Sequence, residues 1–284
     1  MDAANSSSLG PNTAITHVIS NRSQAFGLTR ARTATPNPIP TSTLALKTFQ
    51  TRNPGATRET YDVHLAELVL SEKPDLVVLA GFMHILSPTF LESLPASLPI
   101  INLHPALPGQ FDGARAIPRA LEAFERGEVK GTGVMVHRVV AEVDRGAPVC
   151  VREVPIERGE TLERLEERIH TVEHELIVEG AKSVLDEIRE ERRRRRVEET
   201  TTTTTTLESN KSEDGPSPTT TTRPAAPTDL QAPSSSNPPP AAAAAPETAA
   251  DADAGAKTGL ETLVGKLRIG KAGASSSSSA KVGQ

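Results

Sequence analysis

Two uninterrupted apolar runs constrain the fold of this chain more than any other feature. They are DLVVLAGF at Asp75–Phe82 and PIINLHP at Pro99–Pro105. Neither run alternates apolar with polar residues, and such runs are typical of strands that are buried on both faces of a parallel sheet. Because helices cover both faces of a sheet of this kind, the two runs predict an α/β fold.

The segments around these runs alternate between strand and helix patterns. Ala14–Asn21 and Leu44–Phe49 are apolar over strand-sized lengths, which predicts two further strands. Apolar residues recur at helical spacing in Arg58–Lys73 and from Thr161 to about Glu190, which predicts two helices. The remaining predicted elements are a short helix with Ser87 as its N-cap, a helix over about Ala114–Arg126, and adjacent strands at Gly131–Val140 and Pro148–Ile156. We therefore predict a mostly parallel, Rossmann-like sheet flanked by helices.

The C-terminal part of the chain has a different composition. From about Val197 onward it is dominated by Thr, Pro, Ala and Ser, and it offers too few large apolar side chains to offset the entropy lost on ordering. We therefore predict one folded domain over residues 1–190 and a disordered tail over residues 191–284. Within the tail, Gly259–Lys271 (GLETLVGKLRIGK) is weakly amphipathic, which leaves a transient helix and a docking segment as alternatives.

Composition narrows the partners and the compartment. The formal net charge of −5 argues against nucleic acid as the main partner, and the five arginines at Arg192–Arg196 fit a solvated helix end better than a nucleic-acid patch. The single cysteine, Cys150, excludes an intramolecular disulfide. No run is long and apolar enough to cross a bilayer, and the first residues lack the pattern of a secretory signal. We expect a cytoplasmic protein without membrane or nucleic-acid partners, and its oligomeric state stays open.

The polar residues that end the second buried run are the first candidates for chemistry. Ligands of open α/β sheets bind outside the carboxyl ends of the strands. Asn102 and His104 lie two residues apart at such an end, so their side chains point to the same face. An amide that donates to an oxyanion and an imidazole that moves a proton suit acyl transfer. The alternative is an Asn–His pair that only caps a turn.

The order and spacing of longer motifs carry a resemblance to a known family. INLHPALPG at Ile101–Gly109, LVVLAGFMHILSP at Leu76–Pro88 and GTGVMVHRVVAEVDRGAPV at Gly131–Val149 resemble segments of the phosphoribosylglycinamide formyltransferases. These enzymes are a branch of the folate-dependent formyltransferase family, and the likeness is greatest to their fungal stand-alone forms. VISNRSQAFGLTRAR and the helix at Thr161–Leu185 extend the resemblance, which runs from about Asp2 to Leu185.

The resemblance implies a reaction and three catalytic residues. The family transfers the formyl group of 10-formyltetrahydrofolate, its co-substrate, to the amine of glycinamide ribonucleotide in purine biosynthesis, without a metal. His104 is implied as the general acid that stabilises the tetrahedral oxyanion, and Asn102 as a second donor to that oxyanion. Asp144, in EVDRG, is implied to hold His104 and to raise its pKa by placing a negative charge beside it.

The resemblance also implies residues that bind folate. Met83, His84, Ile85 and Leu86 follow the first buried run, where their backbone groups could pair with the edge of a pterin. Core packing is the alternative for all four residues, and it weighs most for Ile85 and Leu86. Many family members carry Arg at the position of His84, which leaves a backbone role intact and weakens a side-chain role. Arg58 matches a position near the folate, and its alternative is a solvated arginine at a helix start.

Four further residues of the site region rest on weaker signals. Glu173 matches a family position that contacts the ribose hydroxyls of the nucleotide substrate, although carboxylates on helices are usually solvated. His137 lies on a strand that faces the same region and is a secondary candidate, with a buried structural histidine as its alternative. His170 and His174 have a spacing that can seat a metal, but no acidic or cysteine motif completes such a site, so solvated histidines are favoured.

One segment of the family pattern is missing. Family members begin with a strand and a glycine-rich loop whose backbone amides grip the substrate phosphate, whereas this sequence begins MDAANSSSLGPN. We therefore expect a domain that is N-terminally truncated relative to the family, with a true start upstream of Met1. The absence of that central strand would expose its apolar neighbours and unpaired backbone groups.

Two alternatives to an active formyltransferase of this type stay open. The first is a truncated product that binds folate without turnover. The second is another folate-dependent formyltransferase, although the enzyme that acts on methionyl-tRNA would carry a folded C-terminal domain in place of the low-complexity tail, and the hydrolase of formyltetrahydrofolate would carry an N-terminal regulatory domain.

Overall fold

The computed structural model describes residues 8–209 and 263–269. The chain divides into two compact units: Met1–Arg194 with Thr258–Gln284, and Arg195–Lys257. In the second unit the described residues are 195–209, which are helical. None of the helices in the described ranges has the length and apolar character that a membrane span requires.

The first unit is a sheet with helices on both faces. Its strands are β1 (Thr13–Ser20), β2 (Thr41–Thr43), β3 (Leu76–Ala80), β4 (Ile100–His104), β5 (Gly131–Arg138), β6 (Pro148–Pro155) and β7 (Leu263–Ile269). The helices are α1 (Phe26–Arg32), α2 (Leu46–Arg52), α3 (Arg58–Leu70), α4 (Pro88–Glu92), α5 (Ala116–Glu125) and α6 (Leu162–Ser209). These elements confirm the predicted α/β class.

The sheet is mixed, and its strand order is β2-β1-β7-β3-β4-β5-β6. The pairs β1–β2 and β3–β4 are parallel, whereas β7 is antiparallel to both of its neighbours and β5 is antiparallel to β4 and β6. All strands other than β5 and β7 therefore point in one direction. The carboxyl ends of β3 and β4 meet at one edge, where Leu79 pairs with Asn102.

The core lies on both faces of the central strands, as the unbroken apolar runs predicted. Leu76 and Val78 of β3 pack in the cluster that includes the buried faces of α5 and α6. Val77 and Leu79 pack in the opposite cluster, which includes residues of α3 and α4. Because successive side chains of a strand point to opposite faces, a strand covered on both sides must be apolar at every position.

The structure confirms the predicted N-cap at Ser87 and shows a second N-cap, at Thr57, that was not predicted. The hydroxyl of Ser87 accepts a hydrogen bond from the backbone N–H of Phe90, and Pro88 occupies the first turn of α4. Thr57 caps α3 in the same way by accepting from the backbone N–H of Thr60. These local signals are short-range, and the sequence alone therefore places both starts correctly.

The strand predicted at Leu44–Phe49 is wrong. The strand of this region is β2, three residues earlier, where Thr41 pairs with Val18 of β1. The apolar residues that follow begin α2 at Leu46, and several of them pack against the α3 side of the sheet. A short apolar run does not distinguish a strand from a buried helix segment by its periodicity.

Two described segments depart from the predicted tail. The helix expected to end near Glu190 continues to Ser209. Residues 263–269 form β7 between β1 and β3, where the backbone N–H of Asp75 donates to the carbonyl of Leu267 at 2.8 Å. Leu267 is buried in the core, so the transient-helix interpretation of this segment is wrong. The rest of the predicted tail lies outside the described residues.

Candidate active site

The candidate site is assembled where β4 ends beside β5. Asn102 and His104 lie on β4, and the antiparallel register places His137 of β5 directly opposite Asn102. The loop after β5 brings Asp144 back to the same point. The loop is held because the backbone N–H of Arg138 donates to the carbonyl of Ala147 at 2.9 Å.

A glycine allows the loop to return this closely. A Cβ at Gly146 would lie 1.7 Å from the carbonyl oxygen of Arg138, so no larger residue fits without a shift of the backbone. Asp144 itself has a left-handed backbone, with φ of 57°. The segment Asp144–Gly146 (DRG) therefore has a structural role, because its backbone conformation directs the Asp144 carboxylate back over the end of β4.

Asp144 is the centre of the polar cluster. Its Oδ1 accepts from Asn102 Nδ2 at 3.3 Å, and its Oδ2 accepts from the backbone N–H of Gly113 at 2.8 Å. Both histidines approach the same carboxylate: His104 Nδ1 lies 3.4 Å from Oδ2, and His137 Nε2 lies 3.4 Å from Oδ1. The structure thus brings the three residues implied as catalytic together with the secondary candidate.

The hydrogen bonds determine the protonation pattern of neutral His137. Its Nδ1 lies 2.9 Å from the carbonyl of Arg138, and because a carbonyl only accepts, Nδ1 carries the proton. Its Nε2 then accepts from Asn102 Nδ2 at 3.1 Å. Both amide protons of Asn102 are therefore engaged, one by His137 and the other by Asp144.

The two ring nitrogens of His104 have different surroundings. Its side chain is buried, and its Nδ1 faces Asp144. Its Nε2 has no hydrogen-bond partner within the part of the chain that the structure describes. A buried and unsatisfied nitrogen is costly for stability, which favours a role for this atom in binding or proton transfer.

Burial, rather than the charge of Asp144, decides the net direction of the His104 pKa, although Asp144 raises that pKa as the resemblance implied. Burial lowers the pKa of His104 below its usual value, and this effect exceeds the opposing effect of the Asp144 charge. For Asp144, burial raises the pKa, but the polar contact with His137, the hydrogen bond from the backbone N–H of Gly113 and the nearby His104 together lower it below its usual value. The carboxylate is therefore charged at neutral pH while the free imidazole is neutral.

The segment predicted to bind folate follows β3 at the same edge. Met83 and Ile85 are exposed at 67% and 55%, so core packing does not explain them. Leu86 is partly buried and packs against the α3 side of the core, as its alternative proposed. The side chain of His84 is turned inward and bonds Asp62, while Arg58 donates to the carbonyl of Ile85 at 2.5 Å.

Glu173 is not a solvated helix carboxylate. It is 5% exposed on α6, and burial raises its pKa to about 8. His170 Nε2 lies 3.9 Å from its Oε2, whereas His174 is exposed. Among the described residues no three His, Cys, Asp or Glu side chains cluster as metal ligands would.

Sequence reasoning missed two contributors to this region. Gly113 donates its N–H to Asp144 from the loop after β4, and only the tertiary structure brings the two residues together. Asp62 is fully buried on α3, and a signal for it existed: it lies in line with Leu65, Ala66 and Val69 on the apolar side of the helix. A carboxylate on an apolar helix face requires a specific partner.

Comparison with known proteins defines the class. Residues 1–180 match the formyl transferase family. The phosphoribosylglycinamide formyltransferase of Schizosaccharomyces pombe is 46% identical over 187 residues, covering 65% of this chain and 89% of that protein. The protein of the same name from Saccharomyces cerevisiae is 42% identical over 198 residues, covering 66% of this chain and 91% of that protein.

Solved structures agree with the sequence relatives. The crystal structure of phosphoribosylglycinamide formyltransferase from Bacillus halodurans superposes with a TM-score of 0.54 at 30% identity, covering 65% of this chain and 88% of that one. The chain therefore belongs to the formyl transferase family. Within that family it is an enzyme similar to the phosphoribosylglycinamide formyltransferases.

Proposed function

We propose that this chain transfers the formyl group of 10-formyltetrahydrofolate to the amine of glycinamide ribonucleotide in the biosynthesis of purines. The observation that carries the proposal is the buried His104 at the carboxyl end of β4, whose Nδ1 faces Asp144 and whose Nε2 has no hydrogen-bond partner among the described residues. The two yeast relatives are named phosphoribosylglycinamide formyltransferase, and their sequences are 46% and 42% identical to the matched part of this chain, which supports the choice of substrates. The cytoplasm stays the expected location.

The reaction needs a proton acceptor, a proton donor and a partner for negative charge. The amine nitrogen of the nucleotide attacks the formyl carbon, and a tetrahedral intermediate with an oxyanion forms. The bond from that carbon to the folate nitrogen then breaks. The attacking nitrogen loses a proton and the folate nitrogen gains one. A single group that accepts the first proton and later donates it can therefore serve both events.

His104 fits that role. Its lowered pKa keeps it neutral before the reaction begins, with Nδ1–H directed at Asp144 and Nε2 able to take a proton. Once Nε2 is protonated, Asp144 and the oxyanion both stabilise the imidazolium. The proton on Nε2 can bond the oxyanion and then pass to the leaving folate nitrogen, which is the general-acid step.

Asn102 supplies the second donor to the oxyanion. Its two amide protons point to His137 Nε2 and Asp144 Oδ1, so one of these contacts gives way when the intermediate forms. A hydrogen bond that strengthens as charge develops lowers the barrier more than one made equally to the substrate. Before the intermediate forms, His137 orients the amide of Asn102 through this hydrogen bond.

The remaining predicted residues divide between the two substrates. We assign the backbone of Met83–Leu86 with the exposed side chains of Met83 and Ile85 to the folate ring, and Arg58 to the same region through its bond to Ile85. We assign Glu173 to the ribose hydroxyls. A buried carboxyl with a pKa of about 8 is mostly protonated at neutral pH, so it can both donate and accept.

The test is formyl transfer by the purified full chain, with both substrates and with each one omitted. Circular dichroism confirms that the sample is folded, and His104→Ala is the matched inactive variant. Turnover that requires both substrates and is lost in His104→Ala supports the proposal. Binding of a folate analogue without turnover supports the non-catalytic alternative. A folded chain that neither binds the analogue nor turns over contradicts both.

A further inference from the structure

A buried acid–histidine pair joins helix α3 to the proposed folate segment, and neither side chain has a role in the proposed chemical steps. Asp62 is 0% exposed on α3, and its Oδ1 lies 2.6 Å from Nε2 of His84. Its Oδ2 accepts the backbone N–H of Ser87 at 2.8 Å. Both oxygens of one buried carboxylate are thus bonded to the two ends of a single short loop.

The surroundings of His84 hold its ring in one orientation. The ring packs edge-on against Tyr61 and Phe82, with centroid separations of 5.2 and 6.0 Å and interplanar angles of 71° and 74°. From one turn earlier on α3, Arg58 donates to the carbonyl of Ile85. Helix α3 therefore holds the loop at His84, at Ile85 and at Ser87.

The loop alternates between an inward and an outward side chain. His84 points inward to Asp62, while its neighbours Met83 and Ile85 are exposed. An exposed apolar pair on a tightly held loop is a ready surface for a flat heterocycle, because the cost of ordering the loop is met before binding. The inward residue therefore controls the position of the two outward ones.

The carboxylate of Asp62 remains charged, which makes its bonds strong. Burial by itself raises the pKa of Asp62, but hydrogen bonds from His84 and Ser87 more than offset it and lower the pKa below its usual value. A buried carboxylate adds little stability compared with an apolar residue of similar size. Its value lies in the orientation that it imposes on its partners.

We propose that Asp62 and His84 form a latch that positions the loop Phe82–Ser87 to receive the folate co-substrate. The inference rests on the proposed function for the identity of the ligand, although the latch itself rests on the bonds between α3 and the loop. Both side chains act as positioning residues, since they act through the loop and do not contact the reacting atoms.

The first test compares His84→Ala with His84→Arg in the full chain. The alanine variant is expected to raise KM for 10-formyltetrahydrofolate about tenfold, the size of one lost charge-assisted hydrogen bond. KM for the nucleotide and kcat are expected to stay within about twofold. Arginine can donate to Asp62 in place of histidine, so His84→Arg is expected to restore the low KM. His64→Ala, which removes an exposed histidine of α3, is the matched control with no expected change.

The second measurement does not depend on catalysis. Exchange of the backbone amide of Ser87 with solvent is expected to accelerate about tenfold in His84→Ala and to return to the wild-type rate in His84→Arg. If His84→Ala fails to fold, His84→Leu, which is larger and also lacks a donor, is measured in its place by the same criteria. Unchanged exchange and unchanged KM in the folded variant would overturn the latch. If the wild-type chain shows no turnover, the proposed function fails, and the exchange data alone support or overturn the latch.

Discussion

The two halves of the sheet are built from different kinds of chain segment. In the half that carries the site, β4, β5 and β6 follow one another along the chain and pair as neighbours. In the other half, β7 comes from residues 263–269 and enters between β1 and β3. The first half depends on short-range connections, whereas the second depends on a pairing across most of the chain.

The half of the sheet with β4, β5 and β6 carries the candidate site, whereas the half with β7 completes the fold. Asn102, His104 and Asp144 converge because one strand pair and its loop bring them together. The position between β1 and β3 is filled at a larger cost in loop-closure entropy, which the burial of Leu267 and the two rows of backbone hydrogen bonds must offset. Perturbing β7 should therefore affect stability, and perturbing Asp144 should affect activity.

The largest expected effect is the loss of β7. A chain that ends after Thr262 leaves the facing edges of β1 and β3 unpaired in the middle of the sheet, so we expect it to lose cooperative unfolding. Thermal unfolding followed by circular dichroism measures this. A chain that ends after Ile269 is the matched control, since it keeps the strand and should melt like the full chain. A cooperative transition of the shorter chain at the same temperature would contradict the role of β7.

The next effect belongs to the site half. Asp144→Asn preserves the shape of the side chain and removes its charge, so we expect kcat to fall about 10²–10³-fold with little change in the melting temperature. Because Asp144 raises the pKa of His104, the variant should also titrate His104 at lower pH than the wild type, as followed by NMR. A large loss of stability, or an unchanged His104 titration, would show that Asp144 acts differently.

Substitution of one side chain tests how much β7 contributes to stability. Leu267→Ala removes a buried side chain from the core, and we expect a loss of about 2–5 kcal/mol in the free energy of unfolding. The neighbouring Arg268 is exposed, so Arg268→Ala should change the free energy of unfolding by less than about 0.5 kcal/mol. Denaturant titration measures both. Equal effects of the two variants would indicate that the strand does not pack in the observed register.

The last effect concerns pH and lies outside both halves, on α6. The folded pKa of Glu173 is raised from 4.5 to about 8, so the folded state keeps a proton that the unfolded state loses between those values. The contribution of Glu173 to the free energy of unfolding is therefore largest below about pH 4.5. It falls as pH rises towards 8, by an amount on the order of a few kcal/mol. Glu173→Gln should remove this slope, and Glu163→Gln, exposed on the same helix, should retain it. A wild-type slope that survives in Glu173→Gln would show that another group is responsible.

The sequence predicted much of the fold because the decisive signals are local. The unbroken runs correctly placed β3 and β4, and the predicted helix cap at Ser87 follows from a side chain that bonds its own first turn. The placement of Asn102 and His104 on one face follows from the two-residue period of a strand. Each of these features depends on residues only a few positions apart.

What the sequence by itself determined is most of the strands and helices before residue 190, apart from the strand wrongly predicted at Leu44–Phe49, and which polar residues end the central strands. Only the tertiary structure decided that residues 263–269 occupy the position between β1 and β3, that Asp62 bonds His84, and that burial outweighs Asp144 in setting the pKa of His104. The physical reason is the range of the forces involved. Periodicity and capping act within a few residues, whereas desolvation and strand pairing depend on groups that meet only after the whole chain has packed.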